Sequence, residues 1–322
     1  MSRIIGVQVA SLTEEREKRL RSAAEELGFS IKLLPKGSGY EPQELSDCEI
    51  LFGGFPASEL RHATSLKWFA TSNAGINNYV SDDIYPHEGV ILTNSSGAYG
   101  VAISEHLLVT ALMLLRRMPE YAEQQREKKW NYLGKVRSIY GSVVTVVGTG
   151  DIGGNFARRC KALGAYVRGV KRSRTEKPDY IDELYLRDEL ITAIRDADVV
   201  ALCLPGTAET EHIIGERELG SMKPGAILLN VGRGSAIDQQ ALMKALESGR
   251  LGGAALDVTE TEPLPASDPL WDMPDLIITP HVSGNDSLSH TTDMIVDMFI
   301  EDLKLYVEGR PMLRVMDRKK GY

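Results

Sequence analysis

Along the chain, short runs of apolar and β-branched residues alternate with longer stretches whose apolar positions recur at helical spacing. Strands buried on both faces read as continuous apolar runs, and amphipathic helices between such runs imply parallel strands joined by crossovers. IIGVQVA (4–10) predicts a strand, TEEREKRLRSAAEELG (13–28) a helix closed by Gly28, and FSIKLLP (29–35) the next strand. CEILFGGF (48–55), LKWFATSNAG (66–75) and VILTNSS (90–96) continue this first α/β series. GVAISEHLLVTALMLLRR (100–117) is apolar nearly all round, so it predicts a helix buried on several sides, by two domains or by a second subunit. The polar stretch PEYAEQQREKKWNYLGKVRS (119–138) reads as an arm or linker. A second series follows: VVTVVG (143–148), AYVRGV (165–170), DVVALCL (198–204), AILLNVG (226–232), GAALDV (253–258) and LIITP (276–280). The amphipathic run SLSHTTDMIVDMFIEDLKLYVEG (287–309) lies beyond the last strand and is expected to pack back on the first domain. The expected architecture is α/β, with two doubly wound parallel-sheet domains. One comprises 1–97 plus 286–322 and the other 98–285, with a cleft between them.

Composition narrows the class. The 322 residues carry 43% hydrophobic and 25% charged side chains, the balance of a globular protein, and a net charge of −8. That charge gives no general reason to bind nucleic acid or an anionic membrane. No apolar run approaches the ~20 residues of a membrane span. MSRIIGVQVA reads as a first strand, not a signal peptide. Cys48, Cys160 and Cys203 are scattered without metal-ligand spacing and read as reduced core thiols, so the expected compartment is the cytoplasm and no metal is expected.

VVTVVGTGDIGG holds the pattern G-x-G-x-x-G as Gly148, Gly150 and Gly153, after a strand and opening the helix GNFARRCKALG. The first glycine permits the tight turn, the second lets backbone approach a pyrophosphate, and the third brings helix and strand together. The helix N-terminus then offers N–H groups and partial positive charge to the phosphates. Gly148, Thr149, Gly150, Asp151 and Ile152 are therefore candidate dinucleotide-binding residues. An NAD-preferring domain places Asp or Glu about 20 residues on, for the ribose hydroxyls. Here the strand end reads Lys171, Arg172, Ser173, Arg174. Cations suit the 2′-phosphate of NADP, so NADP(H) is the expected cofactor, with NAD(H) possible. A solvated charged loop is the alternative reading of the same run. Arg168, inside the strand pattern, is a weaker candidate.

LLNVGRGSAID (228–238), AALDVTETEPLP (254–265) and LIITPHVSG (276–284) resemble signatures of the D-isomer-specific 2-hydroxyacid dehydrogenases. With ALCLPGTAETEHIIG (201–215), the glycine loop and SNAGINN (72–78), the resemblance spans nearly the whole chain. It implies a Rossmann cofactor domain inserted in a flavodoxin-like substrate domain, and a homodimer. It implies Arg233 as the substrate-binding arginine, His281 as the acid/base and Glu262 as its carboxylate partner. Glu260 is a rival two positions away, though Pro263-Leu264-Pro265 favours Glu262 in the family frame. His62, His87, His106, His212 and His290 fall in helical or loop contexts and read as structural or exposed.

The resemblance further implies that Asp257 contacts the nicotinamide amide. Leu204, Pro205, Thr207, Val231, Gly232, Ser283 and Gly284 join it in lining the cofactor site. Thr207 reads equally as a hydroxyl capping a turn. The loop at Asn73, Ala74 and Gly75 is expected to hold the substrate carboxylate, and Phe55 and Tyr99 to shape the pocket. The implied activity is reduction of a small 2-oxo acid to a D-2-hydroxy acid, with glyoxylate and hydroxypyruvate leading. Alternatives are an NAD-dependent phosphoglycerate dehydrogenase-like enzyme and a non-catalytic, nucleotide-sensing corepressor-like protein. Formate dehydrogenases of the superfamily carry Gln where Glu262 falls, which disfavours that reaction.

Overall fold

The computed structural model describes residues 3–37, 39–173, 176–284 and 288–321. The chain divides into two units, Met1–Tyr99 with Asp286–Tyr322, and Gly100–Asn285.

The first unit carries strands β1 (Arg3–Gln8), β2 (Phe29–Leu33), β3 (Cys48–Gly53), β4 (Trp68–Thr71) and β5 (Ile91–Thr93). All pairings are parallel, in the order β2-β1-β3-β4-β5. This is the flavodoxin-like order. Helix α1 (Glu14–Glu26) starts where the Thr13 hydroxyl accepts from the Arg16 N–H, with Glu14, Glu15 and Glu17 in its first turn. A side-chain cap and early acids both favour the positive end of a helix. It buries Arg16, Leu20 and Ala24, a stripe at i, i+4, i+8, and stops before Gly28 at φ 79°. A C-terminal helix (Ser289–Val307) packs on the same sheet. Its Phe299 stacks on Phe52 with ring centroids 3.9 Å apart and lies 5.1 Å from Trp68. Buried Arg16 donates to Asp293 at 2.8 Å and joins this helix to α1. The following tail covers the edge of β5, where the Met316 N–H donates to the Leu92 carbonyl at 2.9 Å.

The second unit opens with α2 (Gly100–Leu115) and α3 (Met118–Arg126). Part of the stretch expected to be an arm is thus helical: Pro119 falls in the first turn, where proline costs no helix hydrogen bond. β6 (Val143–Val147), α4 (Asp151–Ala162), β7 (Tyr166–Lys171), β8 (Glu183–Leu186), α5 (Leu190–Ile194) and β9 (Val199–Leu202) follow. α6 (Glu216–Ser221), β10 (Ala226–Asn230), α7 (Gln239–Glu247), β11 (Leu251–Leu256) and β12 (Leu276–Ile278) complete the unit. The parallel sheet runs β12-β11-β10-β9-β6-β7-β8. Counted from β6, this is the Rossmann order 3-2-1-4-5-6 extended by one strand. β8 is absent from the sequence reading because ELYL is short, half-buried and at the sheet edge, so no apolar run marks it.

In this unit the strands end in a row: Val147 is level with Leu202, Leu202 with Asn230, and Asn230 with Leu256. The loops that follow, from Gly148, Cys203, Val231 and Asp257, therefore leave one edge of the sheet side by side. The order reverses between β6 and β9, and open α/β sheets bind ligands at such a switch point. Among the described residues no helix is long and apolar enough to cross a membrane, and no cluster of His, Cys, Asp or Glu is suited to a metal. Burial pushes the thiols of Cys48, Cys160 and Cys203 up to about 12, and all three are unpaired.

Candidate active site

The three glycines after β6 are required for different reasons. Gly148 has φ 93°, and a Cβ there would lie 2.5 Å from the Cys203 carbonyl oxygen. At Gly153 a Cβ would lie 2.0 Å from the Gly148 oxygen, so only glycine lets α4 sit this close to the turn. Gly150 has φ −73° and nothing within 4 Å of where its Cβ would stand. Neither its backbone nor the packing demands glycine; what it provides is open space at the start of α4. Among the described residues no side chain caps α4 there. An uncapped N-terminus beside a bare backbone fits a pyrophosphate, as a dinucleotide requires. Asp151 turns its carboxylate to the Gly100 N–H and the Asn155 amide, and burial raises its pKa above the ordinary carboxylate value against those two bonds. Its side chain is thus committed within the protein. The Thr149 hydroxyl is buried and has no partner among the described residues.

Lys171 ends β7, and Arg172 and Ser173 follow it, both exposed. Arg174 lies outside the described residues. Arg168 donates to Glu183 at 2.9 Å and pairs with Asp196, which commits it to β8 and the end of α5.

Arg233 follows β10 in a loop threaded between two others. A Cβ on Gly232 would meet the Leu204 oxygen at 2.5 Å, and one on Gly234 the Thr259 oxygen at 1.9 Å. Asn230, 1% exposed at the strand end, fixes this turn. Its side chain donates to the Arg233 carbonyl at 2.9 Å and accepts from the Gly232 N–H at 3.0 Å. The guanidinium donates to the Gly232 carbonyl at 2.7 Å. Burial lowers its pKa from the ordinary arginine value, and the charge of Glu262 opposes that shift. Sequence reasoning passed over Asn230, although a polar residue closing the buried run AILLN is a visible signal.

His281 Nδ1 and Glu262 Oε2 are 2.8 Å apart. The other carboxylate oxygen of Glu262 accepts from the Thr259 N–H at 3.1 Å, which aims it at the ring. Glu260 is turned away: its Oε1 accepts from the Gln239 N–H and meets His212 Nε2, each at 3.1 Å. Between the two acids left open by the sequence, the histidine's partner is Glu262. His281 itself has φ 52°, a left-handed conformation that costs a non-glycine residue about 1 kcal/mol or more and persists only where its surroundings enforce it. The enforcing group is Asp257, 2% exposed. Its carbonyl accepts the His281 N–H at 2.8 Å. Its carboxylate accepts from the Val282 N–H at 2.9 Å, the Ser283 N–H at 3.0 Å and the Thr279 hydroxyl at 2.6 Å. Three donors from its own chain leave this carboxylate about one free acceptor position.

Other expected residues take plainer places. Leu204 and Pro205 follow β9, and Val231 and Gly232 follow β10, on the edge that carries the glycine loop. Ser283 and Gly284 follow His281 and Val282 in the chain. The Thr207 hydroxyl lies 3.2 Å from that of Thr210, and it is the Thr210 hydroxyl that accepts from the Thr207 N–H at 3.0 Å and closes the turn. In the first unit, Asn73, Ala74 and Gly75 follow β4. The Asn73 N–H donates to the Thr71 hydroxyl at 3.2 Å, the Asn94 amide to the Ala74 carbonyl at 2.6 Å, and the Tyr99 hydroxyl to the Ser72 carbonyl at 2.6 Å. Phe55 corrects an expectation: it is 1% exposed and packs edge-on against Phe69 and Tyr40 in the core, so it does not shape a pocket.

Residues 108–283 match the pattern "D-isomer specific 2-hydroxyacid dehydrogenase, NAD binding domain". A glyoxylate reductase of Korarchaeum cryptofilum is 32% identical over 83% of this chain and 82% of its own. A D-isomer specific 2-hydroxyacid dehydrogenase family protein of Aeromonas salmonicida superposes with a TM-score of 0.86 at 31% identity, over 99% of this chain and 100% of the other. A D-isomer specific 2-hydroxyacid dehydrogenase of Xanthobacter autotrophicus, solved with NADPH and MES, gives 0.83 at 25% identity over the full length of both. The chain belongs to the D-isomer specific 2-hydroxyacid dehydrogenase family. It is an NAD(P)-dependent oxidoreductase of 2-oxo and 2-hydroxy acids.

Proposed function

We propose that this enzyme reduces a small 2-oxo acid of the glyoxylate or hydroxypyruvate kind to the D-2-hydroxy acid, with NADPH as reductant. The observation that carries the reading is the His281–Glu262 pair, 2.8 Å apart on the strand-end edge that also bears half-buried Arg233. A reduced nicotinamide, when bound, would supply the hydride that the carbonyl carbon takes up. Nδ1 of His281 faces Glu262, so Nε2 is the atom that hands a proton to the carbonyl oxygen. Glu262 stabilises the imidazolium before transfer and keeps a proton on Nδ1 afterwards. The Arg233 guanidinium binds the substrate carboxylate and polarises the neighbouring carbonyl. The same reading assigns the nucleotide to residues 98–285 and the carboxylate-holding loop, Asn73, Ala74 and Gly75, to the other domain. With the Asn73 N–H given to Thr71, Ala74 and Gly75 are the proposed donors of that loop.

The NADP preference rests on Lys171, Arg172 and Ser173, at the strand end where a carboxylate would repel a 2′-phosphate. The Xanthobacter relative's complex with NADPH supports it, and the Korarchaeum relative's name supports the substrate. The test is catalytic efficiency with NADPH and NADH over a panel of 2-oxo acids, before and after Lys171→Asp plus Arg172→Ala. Wild type is expected to favour NADPH by at least about tenfold and the double variant to lose that margin. A wild-type preference for NADH defeats the cation argument.

We further propose a homodimer built on α2, α3 and the strand-free stretch after α3. Val109 and Leu112 on α2, Met118, Tyr132 and Val136 are exposed apolar side chains lining one groove, and Trp130 beyond it is fully exposed. Apolar surface this continuous marks an interaction site. Sedimentation at micromolar concentration should give a two-chain species that Leu112→Glu dissociates; a monomeric wild type refutes the assignment. The proposed compartment is the cytoplasm, in keeping with three unpaired thiols, two of them buried.

A further inference from the structure

The left-handed turn at His281 is enforced from behind by a file of three side chains: His106 of α2, Thr279 and Asp257. Nε2 of His106 lies 3.2 Å from the Thr279 hydroxyl, and that hydroxyl lies 2.6 Å from Asp257 Oδ1. The direction of the file follows from its end. A carboxylate only accepts, so the single proton of the Thr279 hydroxyl goes to Asp257, and the hydroxyl oxygen accepts in turn from His106. His106 must therefore carry its proton on Nε2 when neutral. Asp257 in turn accepts from the N–H groups of Val282 and Ser283, the two residues after His281, and its own N–H donates to the Asn230 carbonyl at 3.0 Å. The file thus joins α2, β10, the end of β11 and the His281 loop within one unit.

We propose that Thr279 and His106 are positioning residues for the reaction, acting through Asp257 to keep His281 in the backbone conformation from which its ring meets Glu262. This rests on the acid–base role proposed for His281. The physical case is one of strain and orientation. Oδ1 of Asp257 accepts both the Thr279 hydroxyl and the Val282 N–H, so Thr279 sets where that oxygen points. Without the hydroxyl, the carboxylate is free to rotate away from the two backbone donors that pin the turn. Proton transfer depends steeply on placement, so a small drift of the imidazole lowers the rate while leaving the binding surfaces intact.

The test compares the full-length wild type with Thr279→Val, Thr279→Ser and His106→Leu. It measures kcat, the KM for the 2-oxo acid, the Kd for NADPH, and hydrogen exchange at the Val282 and Ser283 amides. Thr279→Val is expected to lower kcat by about 10- to 100-fold with KM and Kd within about threefold, and to speed exchange at both amides. Thr279→Ser keeps the hydroxyl and should restore kcat to within about threefold of wild type, and His106→Leu should lose about three- to tenfold. Wild-type kcat in Thr279→Val, or equal impairment of the Val and Ser variants, overturns the proposal while leaving the acid–base reading in place. If the wild type reduces no 2-oxo acid, that reading falls, and the exchange rates decide the file alone: faster exchange in Thr279→Val upholds it and unchanged exchange overturns it. Should Thr279→Val not fold, His106→Leu carries the same exchange test.

Discussion

Two carboxylates two positions apart, Glu260 and Glu262, differ in what their oxygens accept. Glu262 meets the His281 ring, while Glu260 takes the Gln239 N–H at the start of α7 and the exposed imidazole of His212. Glu262→Gln should therefore cut kcat by roughly 10- to 100-fold, since a neutral amide no longer favours the imidazolium. Glu260→Gln should hold kcat near wild type and cost at most about 1 kcal/mol of stability, because both members of its pair are more than a third exposed. Steady-state kinetics with thermal unfolding of both variants checks this; a larger kcat loss in Glu260→Gln contradicts the assignment. Arg233, Glu262 and His281 were legible because each sits in a local motif with a recognisable neighbour. Asn230, Thr279 and His106 were not, because what marks them is contacts the chain order conceals. Thr279 meets a carboxylate 22 positions away and an imidazole 173 positions away. Phe55 failed for the opposite reason: an aromatic at a strand end reads the same in a pocket or a core.

At the scale of elements, strands buried on both faces announced themselves, and so did the turn between β6 and α4. β8 and α3 did not, one being a short edge strand and the other a polar surface helix whose pattern resembles a linker. The glycine turn shows how little of a motif's meaning is local. Gly148 and Gly153 answer to the protein's own backbone, whereas a Cβ on Gly150 would meet nothing within 4 Å among the described residues, the space proposed for the nucleotide. Gly150→Ala should fold with a Tm within about 2 °C of wild type, yet weaken NADPH binding by at least about tenfold. Gly153→Ala should lower Tm by about 4 °C or more, because its Cβ would lie 2.0 Å from a carbonyl oxygen. Calorimetric unfolding with titration of NADPH separates the two. An equal loss of Tm in both variants shows that Gly150 is structural.

For the whole molecule, a net charge of −8 and the cations around Lys171 are compatible once the cations have a local purpose. The two sheets differ in order as well as size, five strands in the flavodoxin order and seven in the Rossmann order extended by one. Periodicity alone conveys two α/β halves; the strand orders follow from pairings that no single segment encodes. The proposed chemistry rests chiefly on the carboxyl edge of the larger sheet, which carries loops from four strands and the His281 turn. The most direct measurement of the central claim is NADPH-dependent reduction of glyoxylate and hydroxypyruvate by the wild type and His281→Gln, with NADPH affinity measured for both. The account predicts turnover by the wild type and a loss of at least about a hundredfold in kcat for the variant, with Kd for NADPH within about threefold. Tight NADPH binding by a wild type that reduces neither acid, or full turnover by His281→Gln, would contradict it.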